Sequence, residues 1–178
     1  MTALRCTAKL AKAIKSELIA NPPSPGNRLG EWTANLVRFD RKAYVLAVNE
    51  RTRLGIVVNA APYAALTIRF TERIFKALIA LGVDPDQAAA EAESTRPTAF
   101  AKTNSPSVLA TLTRYYFDLD AVVYHDGPQS AAALSAHLLD QIVIDPKHIG
   151  RPADRVREAF GLPCKPVRFW RQAANDGG

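Results

Sequence analysis

Three apolar segments follow one another between Leu29 and Ala60, joined only by short charged links, and nothing else in the chain restricts the fold so tightly. All three are rich in Val, Ile, Tyr, Phe, Trp and Thr, which suit a pleated, half-buried surface. In the first, Trp32, Ala34 and Leu36 share one face, and Thr33, Asn35, Val37 and Phe39 the other. In the second, Tyr44, Leu46 and Val48 alternate with Val45, Ala47 and Asn49; in the third, Leu54, Ile56 and Val58 alternate with Gly55, Val57 and Asn59. Neither face is cleanly polar, so both are expected to be covered. The links Asp40-Arg41-Lys42 and Arg51-Thr52-Arg53 are too short for a parallel crossover, so the segments read as an antiparallel meander. Such a meander needs helices packed on it to be stable.

The flanks read as mostly helical. Leu10, Ile14 and Leu18 recur at helical spacing, which predicts a helix over Thr7–Ala20. The proline-rich run Asn21 to Asn27 ends it. A second helix is expected over Thr67–Leu81, closed by Gly82. Asp84-Pro85-Asp86-Gln87 opens a third with a capping box and a first-turn proline. Thr98–Lys102 reads as a fourth strand. Ser105-Pro106 starts a long helix reaching about Val123, and Ser130–Val143 another that buries Leu134, Leu138 and Ile142. Arg151-Pro152 starts the last. The expectation is therefore an α+β domain over residues 1–160, with a small antiparallel sheet of three to four strands and about five helices. Residues 161–178 form a basic, aromatic C-terminal tail.

The 178 residues are 48% hydrophobic, enough for a real core, and no run approaches the ~20 apolar residues of a membrane span. The start, MTALRCTAKLAKAIK, mixes charge with apolar positions and lacks the blocks of a secretory signal. Two cysteines, Cys6 and Cys164, stand in no metal spacing, so reduced thiols in a cytoplasm are the simple reading. The formal net charge is +6. Basic residues gather at both ends: Arg5, Lys9, Lys12 and Lys15 first, then Lys147, Arg151, Arg155, Arg157, Lys165, Arg168 and Arg171. Residues 101–145 are acidic in balance. Basic ends can meet the phosphates of nucleic acid, dock on a protein partner, or simply keep the chain soluble.

Three landmarks in this order and spacing carry a family resemblance: LRCTAKLAKAI, LGEWTANLVRFDRKAYVLAVNERTRLGIVV and KTNSPSVLATL. Together they resemble a family of small bacterial proteins known as a domain of unknown function, over roughly residues 4–123. Trp32-x-Ala34-Asn35 and Val48-Asn49-Glu50-Arg51-Thr52 are the more specific pieces. At the third landmark Pro106 and Ala110 stand where the family has a basic residue and a glycine. The resemblance implies a compartment and an organism class, and no mechanism.

Two segments stand out chemically. Lys102-Thr103-Asn104-Ser105 opens a helix whose free N–H groups suit an anion, with Lys102 adding charge. Simple capping explains the same residues, and Pro106 removes one donor. Asn49, Glu50, Arg51 and Arg53 sit at the second turn of the meander, where Glu50 could serve as a base or the arginines could hold a polar ligand. A charged turn explains them as well. Asn35, Asn49 and Asn59 are unusual in strands; facing inward, they must be hydrogen-bonded. His137 and Asp140 share a helix face, a ligand pair too sparse to imply a metal site. Tyr115, Tyr116 and Phe117 read as core packing with one hydroxyl at the surface. In the tail, Arg168, Trp170 and Arg171 combine charge with an aromatic face. No nucleophile elbow, HExxH or CxxC pair is present and no cofactor is implied. The preferred expectation is a non-catalytic binding or regulatory module for nucleic acid or a protein partner. The alternative is a small enzyme with a polar pocket beside the meander.

Overall fold

The computed structural model describes residues 2–164. The fold is α+β: six strands form one mixed sheet, and six α-helices pack around it among the described residues. The chain runs β1 (Thr2–Cys6), α1 (Ala8–Ile14), β2 (Leu18–Ile19), β3 (Trp32–Phe39), β4 (Lys42–Asn49), β5 (Gly55–Asn59), α2 (Leu66–Ala80), α3 (Pro85–Thr95), β6 (Pro97–Lys102), α4 (Pro106–Asp126), α5 (Ala131–Leu139) and α6 (Pro152–Ala159). Strand order is β2-β6-β1-β3-β4-β5.

The meander is the antiparallel half of this sheet, with Ala34 opposite Ala47 and Ala47 opposite Ile56. The other half is parallel: β1 pairs with β3 and β6, and β2 with β6. The expected sheet of three to four antiparallel strands is thus half of a larger, mixed one. Thr98–Lys102 is a strand as expected, β6, extended by one residue. Strand β1 has no signature in the sequence because it is a central strand buried on both faces, without alternation. The helix expected over Thr7–Ala20 stops at Ile14, where Lys15 turns left-handed (φ 54°), and Leu18–Ile19 pairs with β6 instead. The helix expected over Ser130–Val143 ends at Leu139, and Ile142 is exposed rather than buried.

Helices cover both faces, as two full sets of apolar positions require. On one, Leu4, Trp32, Ala34, Val45 and Ile56 meet Phe70, Ile74 and Leu78 of α2, with α3 and α6 alongside. Trp32 and Phe70 pack edge to face at 5.5 Å. On the other, Val37, Phe39, Tyr44, Leu46, Val48 and Val57 meet Val108, Leu112, Tyr115 and Leu119 of α4 and Leu134 and Leu138 of α5. The caps read from the sequence do their work: Asp84 accepts from Asp86 and Gln87, and Ser105 from Val108. Edge strand β5 is closed by a side chain, since the Ser135 hydroxyl accepts from the Val57 N–H at 2.8 Å and donates to the Val57 carbonyl at 2.9 Å. Among the described residues no helix is long and apolar enough to cross a membrane.

Candidate functional site

The five residues between β4 and β5 interrupt the ladder, and their side chains repair it. Asn49 is fully buried. Its Nδ2 donates to the Leu29 and Glu31 carbonyls at 2.9 and 3.0 Å, and its Oδ1 accepts from the N–H and hydroxyl of Thr52 at 2.9 and 2.8 Å. Arg53 is 5% exposed and left-handed (φ 60°), a costly conformation for a residue with a side chain. It is held by donation to the Glu50 carbonyl at 2.6 Å and Ser107 Oγ at 3.0 Å, while its own carbonyl accepts from the Tyr115 hydroxyl at 2.9 Å. Arg51 reaches back to the Arg28 carbonyl. The bonds recorded for Asn49, Arg51 and Arg53 therefore tie backbone in place.

The Lys102–Ser105 segment follows β6, at the carboxyl ends of the parallel strands. Its neighbour β1 leads into α1 on one face of the sheet, while β6 leads into α4 on the other. Open sheets with parallel strands commonly bind ligands at such a switch in direction. Lys102 and Asn104 are exposed; Thr103 and Ser105 are half-buried. Just past the end of β1 the Thr7 hydroxyl donates to Asn35 Oδ1 at 2.7 Å and caps α1. An ion pair invisible to motif reading lies beneath: Arg5 grips Glu31 with two bonds, 2.6 and 2.9 Å, and donates to the Lys102 carbonyl at 2.8 Å. Its carboxylate partner and Arg5 itself are only 17% and 9% exposed. This pair, through the Lys102 carbonyl, and the Arg53–Ser107 bond link the surroundings of the two sequence-predicted segments.

Asn35 is half-buried in β3, and Asn59 is exposed at the end of β5. His137 lies 3.0 Å from Gln141. Of the aromatic run on α4, Tyr115 is buried, Tyr116 half-buried and Phe117 exposed. Arg168, Trp170 and Arg171 fall outside the described residues.

Motif reading passed over the groove between α2 and α5. Arg69, Arg73 and Lys76 recur at i, i+4 and i+7, so α2 presents them together along one flank. With Glu72, Asn59 and Ala131 they line a recess of about 120 Å³. Beyond Arg73 and Lys76 it adjoins an Ala-lined cavity of about 140 Å³. Among the described residues no carboxylate lies within ion-pair distance of these three cations. The Nε–H groups of Arg69 and Arg73 are shut away from solvent without an acceptor. Burial lowers the Arg73 pKa, with Glu72 opposing the shift. The signal was present in the sequence as helical spacing, but it marks basic residues on any solvated helix face. Only the approach of α5 turns it into a recess.

No curated protein and no solved structure matches the chain. A family model described as a domain of unknown function, DUF6933, matches residues 3–155.

Proposed function

We propose, for a chain that belongs to the DUF6933 family of unknown function, a non-catalytic module that binds nucleic acid through the cationic groove between α2 and α5. The observation that carries this reading is the state of the three cations there. They gather on one flank, and none has a described carboxylate within 4 Å. A polyanion neutralises such a cluster and releases its own counterions in doing so. The net charge of +6 favours the same encounter. The residues with the best catalytic chemistry support the non-catalytic half of the proposal. Asn49 and Arg53 hold backbone, Glu31 holds Arg5, and Glu50 lines none of the cavities described above.

The test is fluorescence anisotropy with labelled single-stranded and duplex DNA and with RNA, between about 50 and about 200 mM salt. Three neutralised phosphates give a log–log salt slope of roughly −2 to −3. Absence of binding at the low-salt end overturns the proposal, and binding with no salt dependence removes its electrostatic basis.

A further inference from the structure

The recess at the inner end of the groove is more selective than a basic surface needs to be. Its volume of about 120 Å³ is room for one tetrahedral oxyanion. Its wall carries three cations against one carboxylate, Glu72. That excess of two positive charges matches a phosphate monoester, which carries about −1.5 to −2 near neutral pH. A backbone diester carries one charge and needs an opening on two sides for its two substituents; a monoester needs one. The recess has such a neighbour: across Arg73 and Lys76 lies the cavity walled by Ala77, Ala80, Ala132, Ala136 and Leu139. This cavity is largely apolar, with small side chains that leave room for a flat group.

The donors are also set in advance. Arg69 is anchored by its Nη2, which donates to the Ala60 carbonyl at 3.0 Å and the Pro62 carbonyl at 2.7 Å. That guanidinium is thereby fixed at the wall of the recess. Arg73 and Lys76, which have no ion pair among the described residues, complete the cationic wall. Ala131, in the first turn of α5, lies at the positive end of that helix and adds to the field.

Resting on the nucleic-acid reading above, we infer that this recess seats the terminal phosphate monoester of a strand or a mononucleotide, with the attached sugar and base lying along the alanine-lined groove. Recognition of an end, rather than of backbone alone, follows from this geometry.

Titration calorimetry with a thymidine decanucleotide carrying a 5′-phosphate, a 3′-phosphate or neither tests it. One terminal phosphate is expected to tighten binding about tenfold or more at moderate salt. Arg73→Gln and Lys76→Gln are each expected to remove that preference while the hydroxyl-ended strand still binds. Lys9→Gln, on α1, which lines neither cavity, is expected to keep it. Equal affinity of all three strands for the unaltered protein overturns the phosphate seat and leaves the nucleic-acid reading standing. If no strand binds, that reading falls, and the Ala131 amide in a nuclear magnetic resonance titration with inorganic phosphate decides the seat. A saturable shift abolished by Arg73→Gln upholds it; no shift overturns it.

Discussion

The β4–β5 turn and the α2–α5 groove are both rich in polar side chains, and they use them in opposite ways. In the turn, Asn49 has a partner for both of its amide donors and for its oxygen. An unpartnered buried Nε–H occurs in both places, at Arg53 of the turn and at Arg69 and Arg73 of the groove, but only in the groove do whole side chains, Arg73 and Lys76, lack any hydrogen bond or ion pair among the described residues. The difference traces to the backbone beneath. A turn breaks the strand ladder and leaves main-chain groups that nearby side chains must satisfy. A helix satisfies its own main chain, so the side chains along its middle stay available for something else. Asn49 is therefore consumed by structure, as is Arg69 where α2 begins beside the Ala60–Pro62 loop, while Arg73 and Lys76, farther along the unbroken helix, are left to act.

The largest expected effect tests the consumed side. Asn49→Ala leaves the Leu29 carbonyl and the Thr52 N–H without their partner in a fully buried position. Stability is expected to fall by about 3 kcal/mol, which lowers the melting temperature by about 10 °C in a chain of this size. Urea and thermal unfolding read both. A loss below about 1 kcal/mol would mean the turn does not depend on Asn49 and would break the contrast at its strongest point.

A smaller effect sharpens the same side and carries a pH signature. The Tyr115 hydroxyl donates to the Arg53 carbonyl, and burial pushes its pKa well above the ordinary range. Tyr115→Phe is expected to lose about 1 kcal/mol near neutral pH. The folded protein keeps the phenol proton while the unfolded chain releases it near pH 10, so the unaltered protein loses about 1.4 kcal/mol per pH unit above that point. The phenylalanine variant lacks this term, so the gap between the two is expected to close by about pH 11. Cys6, whose thiol burial raises to about 12, adds to the alkaline loss in both proteins and cancels in the comparison. A gap that stays constant across the alkaline range would show Tyr115 to be solvated.

This contrast also explains what was legible in the sequence. The meander could be read because its strands are long, alternate, and sit within a few residues of one another. Helix starts at Asp84 and Ser105 could be read because capping is local chemistry. Strands β1 and β2 could not. Five residues buried on both sides, and two whose only reason to be extended is a partner just over eighty residues away, carry no periodic signature. The site followed the same rule. Asn49 and Arg53 are unusual residues for a strand turn, and their oddness reflects backbone repair. The Arg5–Glu31 pair spans 26 residues and appears only once β1 lies beside β3. Arg69, Arg73 and Lys76 looked ordinary because their meaning depends on α5, more than fifty residues later.

The smallest effect on stability is the most direct test of the other side. Arg73 is half-buried, its Nε–H is unpartnered and it has no described ion pair, so its charge contributes little to holding the fold. Arg73→Gln is expected to change unfolding free energy by no more than about 0.5 kcal/mol. The same substitution is expected to lower the magnitude of the nucleic-acid salt slope by roughly one, as loss of a single phosphate contact does. Asn49→Ala should reverse the pattern, with a large loss of stability and an unchanged slope for the fraction that remains folded. The two variants thus form a crossed pair, and each serves as the control for the other. A loss above about 1 kcal/mol in Arg73→Gln would place this arginine among the structural residues. The distinction between polar groups used by the backbone and those left free would then fail at the groove, where the functional proposal depends on it.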